Sequence, residues 1–215
     1  MKTGILFDLD GTLLDTLEDL KDAVNYALGQ FGYPLRTLAE VRRFVGNGAA
    51  VLLALSVPEG ADPAPVLAVF RKYYQSNCQV KTAPYRGVPE ALAALQAKYS
   101  VAIVSNKPDS AVKALCADYF PGIYALGERV GCPRKPASDM VRRAMETIGV
   151  ERCVYVGDSE VDVATAKNAD VPCLSVLWGF RDREELEDAG AAYFCNDPSK
   201  LPELVETVLD GKMKM

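Results

Sequence analysis

Five short runs rich in β-branched and aromatic residues recur in the last two thirds of the chain, and most end in a polar residue. They are SVAIVSN at 100–106, GIYALG at 122–127, RCVYVGD at 152–158, PCLSVLW at 172–178 and AAYFCN at 191–196. Between them lie stretches with helical apolar spacing, such as EALAALQAKY, DSAVKALCADYF, SDMVRRAMETIG, EVDVATAKNAD and KLPELVETVLDG. A further apolar run, ILFD, opens the chain. Strand alternating with helix predicts an α/β fold with a mostly parallel sheet. Because the runs are continuously apolar, the strands are expected to be covered on both faces.

Between about residues 16 and 82 the texture changes. LEDLKDAVNYALGQFG, TLAEVRRFV, GAAVLLALSV and PAPVLAVFRKYYQSN all have helical spacing, separated by Pro and Gly, with no strand-like run among them. We therefore expect an α/β core made of residues 1–15 and 83–215, with residues 16–82 inserted as an all-helical unit.

Composition excludes several chemistries. The 215 residues include no histidine, which removes imidazole as base, nucleophile or metal ligand. The six cysteines are widely spaced and form no CxxC pair, so they read as small core residues of a reducing compartment. A net charge of −5 disfavours nucleic acid and anionic membrane as partners. No run is long enough to span a bilayer, and acids interrupt MKTGILFDLDG where a leader would stay apolar. A cytoplasmic location is the expectation.

The chemistry concentrates at strand ends. In FDLDGTLLDT, Asp8 and Asp10 are two residues apart and so face one side of an extended chain. Close carboxylates repel unless a divalent cation or a proton intervenes, and both remedies serve catalysis. Gly11 permits a tight turn whose backbone N–H groups can meet an anion. Ser105 and Asn106 end a second run, Lys135 stands in CPRKPAS, and Asp158 and Asp162 follow a third run at i, i+4 spacing. Each of these has a local explanation as a turn or helix cap. Together, at the convergent ends of parallel strands, they form the set that phosphoryl transfer to an aspartate needs.

The motifs FDLDGTLLDT, VSNK, RKP and VGDSEVD, in that order, resemble those of the haloacid dehalogenase superfamily phosphatases, a Rossmann-like α/β core carrying a helical cap. FVGNGA and WGF resemble the phosphoglycolate phosphatase group within it. The resemblance implies Asp8 as nucleophile and Asp10 as general acid and base. It implies Mg²⁺ on the Asp8 carboxylate, the Asp10 carbonyl and Asp158, with Asp162 bound directly or through water. Gly11, Ser105, Asn106 and Lys135 would hold phosphoryl oxygens. For these roles Asp8 must be ionised while Asp10 starts protonated. In the cap, Gly46, Asn47 and Gly48 are candidates for contacting a substrate carboxylate, although a glycine-rich turn capping a helix explains them equally well.

The implied substrate is a small phosphorylated metabolite such as 2-phosphoglycolate. The motifs do not separate this from a pyrophosphatase or a broad sugar or nucleotide phosphatase, nor a monomer from a homodimer. The missing histidine weighs against a sugar phosphomutase. A phosphoacceptor signalling domain would need neither Asp10 nor a helical insertion. The sequence after the lysine, KPAS, departs from the usual pattern of the family.

Overall fold

A computed structural model describes residues 2–211. The expected core ends at 1 and 212–215 therefore lie outside the described residues. Six strands form one parallel sheet: β1 (Thr3–Phe7), β4 (Ser100–Pro108), β5 (Tyr124–Glu128), β6 (Arg152–Gly157), β7 (Cys173–Val176) and β8 (Tyr193–Cys195). Their order is β5-β4-β1-β6-β7-β8, and each neighbouring pair is parallel. The chain winds outward from β1 through β4 to β5, then crosses to the other side of β1 for β6. This reversal makes the carboxyl ends of β1, β4 and β6 the switch point at which open parallel sheets bind ligands.

The strand register explains the continuous apolar runs. Phe7 pairs with Ile103 on one side and with Val156 on the other. Ile5, Phe7, Ile103, Val154 and Val156 enter one buried cluster, together with residues of α5 (Val88–Gln96) and α10 (Leu201–Leu209). Their alternates Leu6, Ala102, Val104 and Tyr155 enter a second, with Met140, Val141 and Ala144 of α7 (Asp139–Ile148) and Ala166 of α8 (Glu160–Ala169). Period-2 alternation thus feeds two cores, and no face is left for polar residues.

Four helices lie between residues 16 and 82: α1 (Leu17–Gly29), α2 (Leu38–Phe44), α3 (Gly48–Ser56) and α4 (Pro63–Asn77). A Thr37–Glu40 capping box starts α2, and Asp62 caps α4 ahead of Pro63. Helices α1 and α4 pack through buried Ala23, Val24, Ala27, Val66 and Phe70, with Tyr26 stacked on Tyr73 at a 4.0 Å centroid separation. The chain enters and leaves this helical segment side by side. Strands β2 (Leu14–Asp15) and β3 (Ala83–Pro84) pair antiparallel there, each too short to leave a periodic signal in the sequence. The remaining helices are α6 (Asp109–Tyr119), after β4, and α9 (Arg183–Asp188), before β8. All six cysteines are free thiols. Among the described residues no helix is long and apolar enough to cross a membrane.

Candidate active site

Strand β1 delivers Asp8 to the switch point. Its backbone N–H continues the ladder to Val156 O at 2.9 Å, and the residue is 7% exposed. The chain then turns at Gly11, which has φ +85°. A side chain there would be strained, and its Cβ would overlap the Asp158 carboxylate. Glycine thus lets the loop after β1 close on the acid after β6. Thr12 Oγ1 donates to Asp158 Oδ1 at 3.0 Å, and the Phe180 N–H donates to Asp158 Oδ2 at 2.7 Å. Trp178 Nε1 donates to Thr12 O at 3.0 Å, so the WGF segment clamps both partners.

Lys135, on the loop after β5, is 2% exposed. Its ammonium stands 2.8 Å from Asp8 Oδ1 and 2.8 Å from Asp162 Oδ1, and donates to Tyr155 Oη at 3.1 Å. Asn106 sets its position: Asn106 Oδ1 accepts the Lys135 N–H at 2.8 Å, and Asn106 Nδ2 donates to Lys135 O at 2.9 Å and Gly46 O at 3.1 Å. The Asn106 amide, expected to face phosphate, is thus spent on the backbone of the lysine loop and of the segment before α3. Ser105 Oγ, buried in the same strand end, accepts the Lys107 N–H at 3.2 Å.

Asp162 is saturated. Its Oδ2 accepts from Ser159 Oγ at 2.6 Å, Ser159 N at 3.1 Å and Asp158 N at 3.2 Å, while Oδ1 accepts from Lys135 and from Tyr155 Oη at 3.3 Å. The carboxylate therefore starts α8 and orients the lysine. Its position within the first turn of a helix satisfies amides that would otherwise be orphaned.

Oxygens of Asp8, Asp158 and Asp162 lie within 4.8 Å of one another, all buried. Burial pushes the Asp8 carboxyl up from 3.8 to about 7; Lys135 opposes the rise, and the charges of Asp162 and Asp10 add to it. Asp158 is held well above its usual range by burial and then by Asp162 and Asp8, against the pull of the Phe180 N–H and Thr12. Asp8 Oδ1 has the Lys135 charge beside it but no aligned hydrogen bond. Negative charge at this corner exceeds what one ammonium balances. Hard oxygen donors with excess negative charge suit a divalent cation, and Asp8 and Asp158 have the capacity that Asp162 lacks.

Two further residues matter that the sequence reading did not single out. Lys107, 5% exposed, donates to Asp10 Oδ1 at 2.7 Å; the same oxygen accepts from Thr16 Oγ1 at 2.6 Å. A lysine at the end of a mainly apolar strand was the available signal. With burial lifting the Asp8 carboxyl and an ammonium paired to Asp10, the metal-free site does not show the ionised Asp8 and protonated Asp10 that the implied roles require. Arg181, 5% exposed, pairs with Glu160 at 2.7 Å and donates to Arg42 O at 2.9 Å and Val45 O at 2.8 Å. It thus meets the free carbonyls at the end of α2, where a cation is favoured. Nothing in RDREELED distinguishes it from the exposed charges that follow. Arg42 Nη2 reaches back to Gly179 O at 3.3 Å.

These groups line a cleft of about 610 Å³ including its open mouth. Asp8, Asp10, Ser105, Lys135 and Asp158 line it, and so do the apolar Leu20, Val45, Leu52 and Phe70. Gly46 and Gly48 also line it, whereas Asn47 does not. Asp15 accepts the Leu17 N–H at 3.3 Å at the start of α1.

Comparison with known proteins gives a consistent relationship. A family model for haloacid dehalogenase-like hydrolases matches residues 5–176. A phosphoglycolate phosphatase of Cereibacter sphaeroides is 34% identical over 190 residues, covering 83% of this chain and 86% of that protein. One from Mesorhizobium japonicum is 32% identical over 219 residues, covering 95% and 96%. The crystal structure of a candidate phosphoglycolate phosphatase from Lactobacillus delbrueckii subsp. bulgaricus superposes with a TM-score of 0.89 at 37% identity, covering 95% of this chain and 99% of the other.

Proposed function

The chain belongs to the haloacid dehalogenase-like hydrolase family, and on that premise we propose that it is a Mg²⁺-dependent phosphatase that hydrolyses a small phosphomonoester through a phosphorylated Asp8. One observation carries the reading. A buried carboxylate at the end of the central strand faces a buried lysine and a second buried acid, with a further carboxyl, Asp10, on the same cleft.

Asp8 attacks phosphorus, forming the new P–O bond as the ester P–O bond opposite it breaks. Asp10 gives its proton to the departing alkoxide. It then takes a proton from the water that attacks the aspartyl phosphate, and inorganic phosphate leaves with Asp8 regenerated. Lys135 offsets charge on Asp8 and on the phosphoryl oxygens. Ser105 Oγ and the backbone amides beyond Asp10 are the donors we assign to those oxygens, while Asn106 positions Lys135. Asp162 is a positioning residue for Lys135 and Ser159. Mg²⁺ fits the Asp8 and Asp158 carboxylates, with the Asp10 carbonyl as the third protein ligand; when bound it neutralises charge on the phosphoryl group and on Asp8.

Helices α1–α4 are assigned as a cap that limits water and selects the leaving group. The apolar wall of Leu20, Val45, Leu52 and Phe70 supports a small substrate, and the relatives' names support 2-phosphoglycolate. Six unpaired thiols support a cytoplasmic location.

The test is phosphate release with and without Mg²⁺ from 2-phosphoglycolate, sugar phosphates, nucleotides and pyrophosphate. The expected result is Mg²⁺-dependent turnover with the highest kcat/KM on 2-phosphoglycolate, lost in Asp8→Asn and in Asp10→Asn. Turnover led by pyrophosphate or a nucleotide would replace the substrate. Full activity in Asp8→Asn would overturn the mechanism.

A further inference from the structure

Lys107 and Tyr74 have no part in the phosphoryl chemistry just described, yet both are buried on the same cleft, 5% and 3% exposed. Tyr74 comes from α4 and Lys107 from the end of β4, so they meet across the boundary between the helical segment and the sheet. The ammonium stands over the tyrosine ring, 4.7 Å from its centroid. The Tyr74 hydroxyl, though buried, has only the Lys107 ammonium beside it and no aligned hydrogen bond. A buried phenol normally finds a partner.

The charges around the cleft narrow what that partner is. Lys135 is committed to Asp8 and Asp162, and Arg181 to Glu160 and the carbonyls at the end of α2. Lys107 has one acid beside it, Asp10. Leu20, Leu52 and Phe70, which line the same cleft, are apolar and offer a polar ligand no partner. The nine-residue helix α3 also starts on this cleft: Gly48 and Ala49 line it, and Asn47 gives its first turn no side-chain cap. An ammonium, a phenol O–H and uncapped helical amides are all donors or positive ends. Burial pushes the Tyr74 phenol above its ordinary pKa, so it keeps its proton and remains a donor.

We propose that Lys107 and Tyr74 form the subsite for the non-phosphoryl end of the substrate and that this end carries a carboxylate. The assignment rests on the phosphatase reading and adds a coupling to it. In the absence of that carboxylate, Lys107 and Thr16 hold Asp10 Oδ1. An arriving carboxylate takes the ammonium and the Tyr74 proton donor, and Asp10 is released to turn toward the leaving oxygen. A substrate without the anion leaves Asp10 held, so discrimination falls on kcat as well as KM.

The test compares 2-phosphoglycolate with ethyl phosphate, which is similar in size and lacks the carboxylate, in wild type, Tyr74→Phe and Lys107→Met. Tyr74→Phe removes the hydroxyl alone and keeps the ring over which the Lys107 ammonium stands, so the packing is preserved. The readout is the ratio of kcat/KM for the two esters, which a general structural defect leaves unchanged. Wild type should favour 2-phosphoglycolate, and each variant should cut that ratio about 10-fold or more, as expected for a lost hydrogen bond to a charged group. Equal losses on both esters, or an unchanged ratio in both variants, would overturn the subsite. Wild-type turnover of ethyl phosphate without preference would overturn it while leaving the phosphatase intact. A wild type that releases phosphate from neither ester, nor from any other in the panel, would remove the phosphatase reading and this assignment with it.

Discussion

Replacing Asp8 by Asn should make the metal-free protein relatively more stable as pH rises, because the native fold holds a carboxylate where it is poorly solvated. In the folded chain burial and neighbouring acids lift this carboxyl from 3.8 to about 7. A raised carboxyl binds its proton more tightly in the folded state than in the unfolded one. Stability is therefore greatest below the lower value and is lost as pH climbs through the interval. By pH 5 the unfolded carboxyl is mostly ionised, while the folded one keeps its proton until about 7. Those two pH units, at about 1.36 kcal/mol each, amount to about 3 kcal/mol between pH 5 and pH 8. Asn cannot ionise, and without the Asp8 charge Asp158 loses one of the causes of its own rise, which acts in the same direction. The assay is urea unfolding of both proteins at pH 5, 6, 7 and 8 in EDTA. The wild-type stability minus that of Asp8→Asn should fall by about 2–3 kcal/mol across the series. Adding Mg²⁺ at pH 8 should restore wild type by ~2.7 kcal/mol at 100 times its dissociation constant and leave the variant little changed. A difference that stays flat, or grows with pH, would refute the argument that burial governs this carboxyl.

Gly179→Ala should abolish activity and destabilise the fold by ~1–3 kcal/mol in urea melts, since its Cβ would overlap Asp158 and the Gly11 carbonyl. Asp162→Ala should destabilise by about 3–5 kcal/mol, because it strips a buried acid from Lys135 and leaves the Ser159 and Asp158 amides unpaired; a loss below about 1 kcal/mol would show that Asp162 does not organise α8. Arg181→Leu should raise protease susceptibility between α2 and α3 and lower kcat/KM on every ester alike, since it unties the α2 carbonyls from Glu160; limited proteolysis and steady-state kinetics would read the two effects.

What could be read from the sequence depended on whether a residue's role was set by its neighbours along the chain or across it. The parallel sheet was legible because the middle of each long strand is apolar on both alternating faces, and two buried clusters account for that. Asp8, Lys135 and Asp158 were legible as candidate-site members because each comes after a strand, β1, β5 and β6 in turn, and the order β5-β4-β1-β6 puts those strand ends along one edge of the sheet. Asn106 stood in the right motif with a different occupation. An amide carries two donors and an acceptor, and only the fold shows that the Lys135 backbone and Gly46 use them. Lys107 and Arg181 were missed for a related reason. A long cationic side chain is solvated by default, and its burial depends on partners up to 139 residues away along the chain, as between Arg181 and Arg42. Their charges are also the ones that cross between the helical segment and the sheet. In the proposed reaction the strand-end motifs act on phosphorus, while the proposed choice of leaving group rests on contacts made only when the chain has folded.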